Sequence, residues 1–159
     1  MKPTVYIETS VISYLTARPS RDARIAADQM ATRLWWKAHK PSYLTCISQL
    51  VIDEASLGDA EAANRRKSIL NGISLLELTP SVSILSQRIL DVTHLPESMR
   101  TDAAHIAAAA VNNIDFLLTW NCSHINNATM KPMIRKLCVS MDINCPEICT
   151  PRELSGGDL

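Results

Sequence analysis

Residues 4–15 read Thr4-Val5-Tyr6-Ile7-Glu8-Thr9-Ser10-Val11-Ile12-Ser13-Tyr14-Leu15, and this stretch sets the class of fold. Thr4 to Ile7 is a β-branched and aromatic run too short for a helix, which predicts a strand. Ser10 then offers an N-cap for a helix over Val11 to Leu15, because a serine hydroxyl can satisfy the free N–H groups of a first turn. The same alternation recurs along the chain. Asp22 to Lys37 carries Ile25, Ala26, Met30, Leu34 and Trp35 at helical spacing, with Pro41 beyond as a stop, before a second strand near Tyr43 to Cys46. Ser48 is placed to cap a helix ending near Gly58, and Asp59 to cap another running to about Leu70. Ser74 to Leu78 reads as a third strand, Pro80 opens a helix to about Val92, and the alanine-rich stretch Met99 to Asn112 is the clearest helix. Phe116 to Thr119 as a fourth strand, a helix over about Asn127 to Val139 and a fifth strand at Glu147 to Cys149 complete the order. The pattern predicts an α/β protein, a three-layer α/β/α fold around a central, mainly parallel sheet of four or five strands.

The 159 residues are enough for a single domain, expected over 1–154, with a flexible tail at 155–159 that begins at Ser155-Gly156-Gly157. The composition, 47% hydrophobic and 20% charged, is globular, and no apolar run nears the roughly 20 residues that a membrane span needs. Met1-Lys2-Pro3 leads straight into the first strand without the regions of a signal peptide, so a cytoplasmic protein with no membrane contact is expected. Cys46, Cys122, Cys138, Cys145 and Cys149 form no C-x-x-C pair, and reduced, packing thiols are expected rather than a zinc site. The formal net charge of zero argues against a wholly basic coat, although clusters occur at Arg18, Arg21 and Arg24, at Lys37 to Lys40, and at Arg65-Arg66-Lys67. A nucleotide enzyme on a Rossmann-like sheet would fit the alternation, but the G-x-G-x-x-G and G-x-x-x-x-G-K-[ST] phosphate loops are missing from a chain with only four glycines.

Chemistry is expected where polar residues interrupt an apolar pattern. Glu54 has Leu50 and Val51 behind it and Leu57 ahead, which places a carboxylate on the buried face of its helix while Asp53 falls off that face. Asp102 continues the stripe of Met99, Ile106 and Ala109 and is expected to point inward. Glu8 follows the first strand and Asn121 closely follows the fourth, so both lie at carboxyl ends of a parallel sheet, where ligand crevices form. Convergence of Glu8, Glu54, Asp102 and Asn121 would give an oxygen-rich cluster suited to magnesium or manganese.

These residues resemble a known family, the PIN domains, and in particular the toxins of VapBC toxin-antitoxin pairs. Val5-Tyr6-Ile7-Glu8-Thr9-Ser10 resembles the opening strand and acidic motif, Ile52-Asp53-Glu54 the helix of the second acid, and Asp102-Ala103-Ala104-His105-Ile106-Ala107 the helix of the third. Leu117-Leu118-Thr119-Trp120-Asn121 resembles the strand that ends in the fourth motif. The resemblance covers most of the chain. It implies a metal-dependent endoribonuclease with Glu8, Glu54 and Asp102 holding Mg2+ or Mn2+ and Asn121 positioning a water or a second ion. It also implies an RNA substrate, a homodimer and a cognate antitoxin whose tail blocks the crevice. The family usually has aspartate where this chain has Glu8, which keeps the charge on a longer side chain, and often where it has Asn121, whose amide adds no charge to attract a second cation, so one tightly held metal is expected rather than two.

Structural accounts compete with each assignment. On these accounts Glu54 would pair a buried arginine, Asp102 would cap a later-starting helix, Glu8 would end a strand and Asn121 would make a turn. Thr9 and Ser10 read first as caps, His105 as a packed or exposed histidine, and Trp35, Trp36 and Trp120 as core or interface residues rather than base-stacking platforms. A degenerate PIN domain that binds nucleic acid or protein without cutting is the alternative function.

Overall fold

In the computed structural model, which describes residues 1–156, five strands and seven α-helices alternate. They are β1 (Thr4–Ile7), α1 (Thr9–Thr16), α2 (Ala23–Leu34), β2 (Leu44–Ile47), α3 (Gln49–Ala55), α4 (Ala60–Leu70) and β3 (Ser74–Leu75), followed by α5 (Pro80–Thr93), α6 (Arg100–Val111), β4 (Phe116–Leu118), α7 (Lys131–Ser140) and β5 (Glu147–Cys149). All four strand pairings are parallel, in the order β3-β2-β1-β4-β5. The first strand is therefore central, with Tyr6 level with Cys46 on one side and Leu117 on the other. Helices α1 to α4 pack among themselves, as do α5 to α7. Right-handed crossovers running outward from β1 in opposite directions put these two groups on opposite faces, which makes the three expected layers.

Burial on both faces explains why the central strands are apolar without alternation: Val5, Tyr6, Ile7, Leu117 and Leu118 are fully buried. Helix α6 is buried nearly all round, and Ala103, Ala107, Ala108, Ala109 and Ala110 let it lie close to its neighbours. No helix among the described residues is long and apolar enough to cross a membrane.

Several local expectations change. The α2 helix does not stop at Pro41 but passes through a π-helical turn at Trp35–His39 and a 3-10 turn at Lys40–Ser42, with Pro41 tolerated in the first turn of the latter. β3 has two residues rather than five, and as an edge strand it leaves Leu75 exposed. Leu57 lies beyond α3 and is exposed, so the buried face near Glu54 rests on Val51. Asp59 does cap α4, its carboxylate accepting from Ala62 N at 2.9 Å. Ser48 and Ser10 do not cap their helices with their side chains; both hydroxyls serve the centre described below. Ser155, expected to open the tail, is buried in a 3-10 turn at Glu153–Ser155 and donates to Pro151 O at 2.6 Å; the rest of that expected tail from Gly157 onward lies outside the described residues.

Candidate metal centre

The order of the sheet reverses between β1 and β4, and the crevice at such a switch point opens at the carboxyl ends of the strands. Glu8 sits there, one residue past β1, with its backbone N–H donating to Leu118 O at 3.0 Å. The residue is 5% exposed. Glu8 Oε2 accepts the hydroxyls of Ser10 and, at 2.7 Å, Thr119. Each hydroxyl in turn accepts a backbone N–H, Ser10 Oγ from Trp120 at 2.8 Å and Thr119 Oγ1 from Asn121 at 2.9 Å. A hydroxyl that accepts from the backbone has its single proton free to give, so both protons point at Glu8. Among the described residues none donates to Glu8 Oε1.

Glu54 approaches from α3 with the same division of labour. Its Oε1 accepts Thr9 Oγ1 at 2.7 Å and meets His105 Nε2 at 2.5 Å, while no described residue donates to Oε2. Burial pushes the Glu54 carboxyl up, but the hydrogen bonds from His105 and the Thr9 hydroxyl outweigh it and hold the group below the usual carboxylate range. His105 is fully buried on α6. Its Nδ1 lies 2.7 Å from the Tyr6 hydroxyl, which is also 2.7 Å from Ser48 Oγ.

Glu8, Glu54 and His105 each offer a ligand atom within 4.8 Å of the others. Asp102, in the first turn of α6 with 19% of its side chain exposed, falls outside that set; its Oδ2 meets His124 Nδ1 at 3.1 Å. Asn121 Oδ1 accepts His124 N at 3.0 Å, and its backbone oxygen accepts Asn126 N at 2.8 Å, so this residue organises the turn after β4 that presents His124 to Asp102. Neither the arginine partner for Glu54 nor the capping role for Asp102 is found: no Lys or Arg among the described residues pairs with Glu8, Glu54 or Asp102, and α6 begins two residues before Asp102. The basic clusters are partly engaged in structure. Arg18 and Arg65 share Glu61, Arg66 caps the end of α3 through Ala55 O and Leu57 O, and Lys40 lies over the Trp36 ring. Trp35 is core, while Trp120 stacks on Tyr14 and donates to Thr32 Oγ1. All five thiols are free, and burial first of all pushes Cys46 and Cys149 up to about 12, which makes them poor thiolate ligands.

His105, Tyr6, Ser48 and the Thr9, Ser10 and Thr119 hydroxyls are the members of this centre that periodicity does not single out. Only His105 carried a signal, as a polar residue one turn from Asp102 on a helix whose buried face is otherwise alanine and isoleucine.

No protein-family model matches the chain, and neither does any curated protein. Solved structures do. VapC20 of Mycobacterium tuberculosis, a toxin that cleaves the sarcin-ricin loop, superposes with a TM-score of 0.59 over 76% of this chain and 92% of its own, at 17% identity. A chain of VapBC2 from Rickettsia felis, crystallised bound to a DNA fragment from its promoter, matches with a TM-score of 0.55 over 92% of this chain and 98% of its own, at 13% identity. The chain has the fold of the VapC toxins. At such low identity the VapC likeness rests on the backbone path, and the chemistry rests on the side chains just described.

Proposed function

We propose that this chain is a Mg2+- or Mn2+-dependent endoribonuclease, the toxin of a cytoplasmic toxin-antitoxin pair, working as a homodimer and held in check by a cognate antitoxin. The observation that carries this reading is the pair Glu8 and Glu54 at the sheet's switch point, each anchored through one oxygen and, among the described residues, each without a donor on the other oxygen and without a Lys or Arg partner. One buried and one part-buried carboxylate, with no Lys or Arg partner among the described residues, fit a hard divalent cation with oxygen ligands.

When bound, Mg2+ or Mn2+ supplies Lewis-acid chemistry, polarising the phosphoryl group and acidifying water enough to furnish a nucleophile near neutral pH. Glu8 and Glu54 hold the ion, and Ser10, Thr119 and Thr9 fix the orientation of those carboxylates. Asp102 completes the acidic set directly or through water, and Asn121 orients water or a second ion. Purified protein is expected to cleave RNA with either metal and to stop in EDTA, and Asp102→Asn to abolish turnover in a folded protein. Cleavage that persists in EDTA would overturn this mechanism.

A second reading, a non-cleaving binding module, is favoured by Asn121, whose amide oxygen is committed to the turn at His124 and brings no charge. A manganese titration beside the cleavage assay separates the two, since the module would neither bind metal tightly nor cut.

A further inference from the structure

Behind the carboxylates lies a buried chain of hydrogen bonds that hydrolysis itself does not use. Ser48 Oγ, Tyr6 OH, His105 and Glu54 Oε1 are joined in sequence at 2.7, 2.7 and 2.5 Å. Ser48, Tyr6 and His105 are all fully buried. Geometrically His105 is either a third ligand beside Glu8 and Glu54 or a donor to Glu54, because its Nε2 is the atom that faces them.

Distance decides between these roles. Two ligands at right angles on an ion with bonds of about 2.1 Å stand roughly 3.0 Å apart. The 2.5 Å between Nε2 and Oε1 is a hydrogen-bond distance and leaves no such span. A bare Nε2 at that distance would set one lone pair against another, so the proton between them belongs to the ring. The other end of the chain agrees. The Tyr6 hydroxyl lies 2.7 Å from both Ser48 Oγ and His105 Nδ1, so it can accept from one and give its single proton to the other. With Ser48 donating to Tyr6 and Tyr6 donating to Nδ1, the ring proton sits on Nε2.

We propose that His105 serves the centre as a hydrogen-bond donor and not as a ligand, and that Tyr6, backed by Ser48, is the positioning residue that holds it in that state. This rests on Glu54 being a metal ligand, as proposed above. The consequence is that Glu54 Oε1, taken by His105 and Thr9, turns Oε2 toward the ion, as outer-shell partners of a ligating carboxylate do.

Long-range proton–nitrogen NMR of histidine-labelled protein, metal-free and saturated with Mg2+, tests the assignment, with the Glu8 and Glu54 carboxylate signals followed in parallel. The expected result is an Nε2 that keeps its proton and an Nδ1 that accepts in both states, while the carboxylate signals move with Mg2+. A proton on Nδ1 with Nε2 bare in the metal-free protein, or loss of the Nε2 proton on adding Mg2+, would overturn the proposal. Carboxylate signals that ignore Mg2+ would instead defeat the metal reading of the site, a failure told apart because the metal-free His105 signal does not depend on it. Tyr6→Phe, which keeps the ring and removes the hydroxyl, is expected to weaken Mn2+ binding about tenfold and to blur the single tautomer of His105. Ser48→Ala, a milder change at the next link, is expected to do the same to a lesser degree. Folded variants with wild-type Mn2+ affinity and an unaltered His105 signal would remove Tyr6 from the centre.

Discussion

The strand pair β1 and β4 carries an acid at each end, and the two acids are held in opposite ways. At the amino end Asp115 is largely exposed, and its Oδ2 accepts Thr4 N at 2.7 Å and Thr4 Oγ1 at 2.8 Å, while Asp115 N donates to the same hydroxyl at 2.9 Å. That clamp closes on itself and faces water. At the carboxyl end Glu8 is buried and takes both of its side-chain hydrogen bonds on one oxygen, while none of the described residues donates to the other. A carboxylate that stitches strands together is satisfied locally; one that is buried, oriented by hydroxyls and left short of a partner marks a site.

The contrast breaks most sharply on activity. Glu8→Gln is expected to lower RNA cleavage at least about a hundredfold, since several kcal/mol of charge stabilisation ride on a metal ligand, whereas Asp115→Asn should leave the rate within about twofold. Equal losses in the two variants, measured on one RNA under saturating Mg2+, would erase the distinction. The next effect is on melting. Mg2+ at about 100 times its Kd should stabilise wild type and Asp115→Asn by about 2.7 kcal/mol, and Glu8→Gln by far less, because only native protein with the site intact binds the ion. Calorimetry with and without EDTA reads this directly.

Thr119→Val sharpens the comparison at the carboxyl end. It leaves Asn121 N–H without its acceptor and Glu8 with one donor, at a cost of about 1 to 3 kcal/mol in denaturant melts, with weaker Mn2+ binding as a second consequence. The smallest effect is on Asp115, whose carboxyl is held below its ordinary range by the Thr4 backbone N–H and then the Thr4 hydroxyl. A depressed carboxyl stabilises the fold above its unfolded pKa and loses that contribution as pH falls through its folded value. Asp115→Asn should therefore cost less than about 1 kcal/mol near neutrality, because the group is exposed, and the gap to wild type should close below about pH 4. A gap that widened with acid would reverse the sign of this argument.

Glu8 was legible in the sequence because it ended an apolar strand and strand order carried it to the crevice, and Glu54 because it shared a helix face with Val51, whereas Asp102, expected in the same cluster, lies outside it beside His124. The supports of Glu8 and Glu54 were not legible. Tyr6 read as one more apolar strand residue, and Ser48 and Ser10 as helix caps, because local periodicity carries no information about hydroxyls that cross from one element to another. Tyr6 meets Ser48 across 42 residues and His105 across 99, and nothing in the local composition of any of the three announces the other two. The Asp102–His124 contact was hidden for a different reason, since His124 comes from the loop after β4, where no period exists to be broken. The shortened β3 and the π-helical turn after α2 show the same limit at the level of backbone, with packing at an edge and around Trp35 overriding what the residues favour locally.

The central place of β1 has a consequence for how the protein comes into being. Its second neighbour, β4, arrives more than a hundred residues later, and Glu8 receives the Thr119 hydroxyl across a separation of 111. At roughly 5 to 20 residues per second of synthesis, the first acid of the centre waits on the order of 5 to 20 seconds for the group that orients it. Pairing over so long a stretch of chain is also among the slower events in folding. A nascent chain on the ribosome is thus without an assembled centre until β4 has emerged and docked, and a partner that engaged the earlier helices would meet the protein before that centre exists.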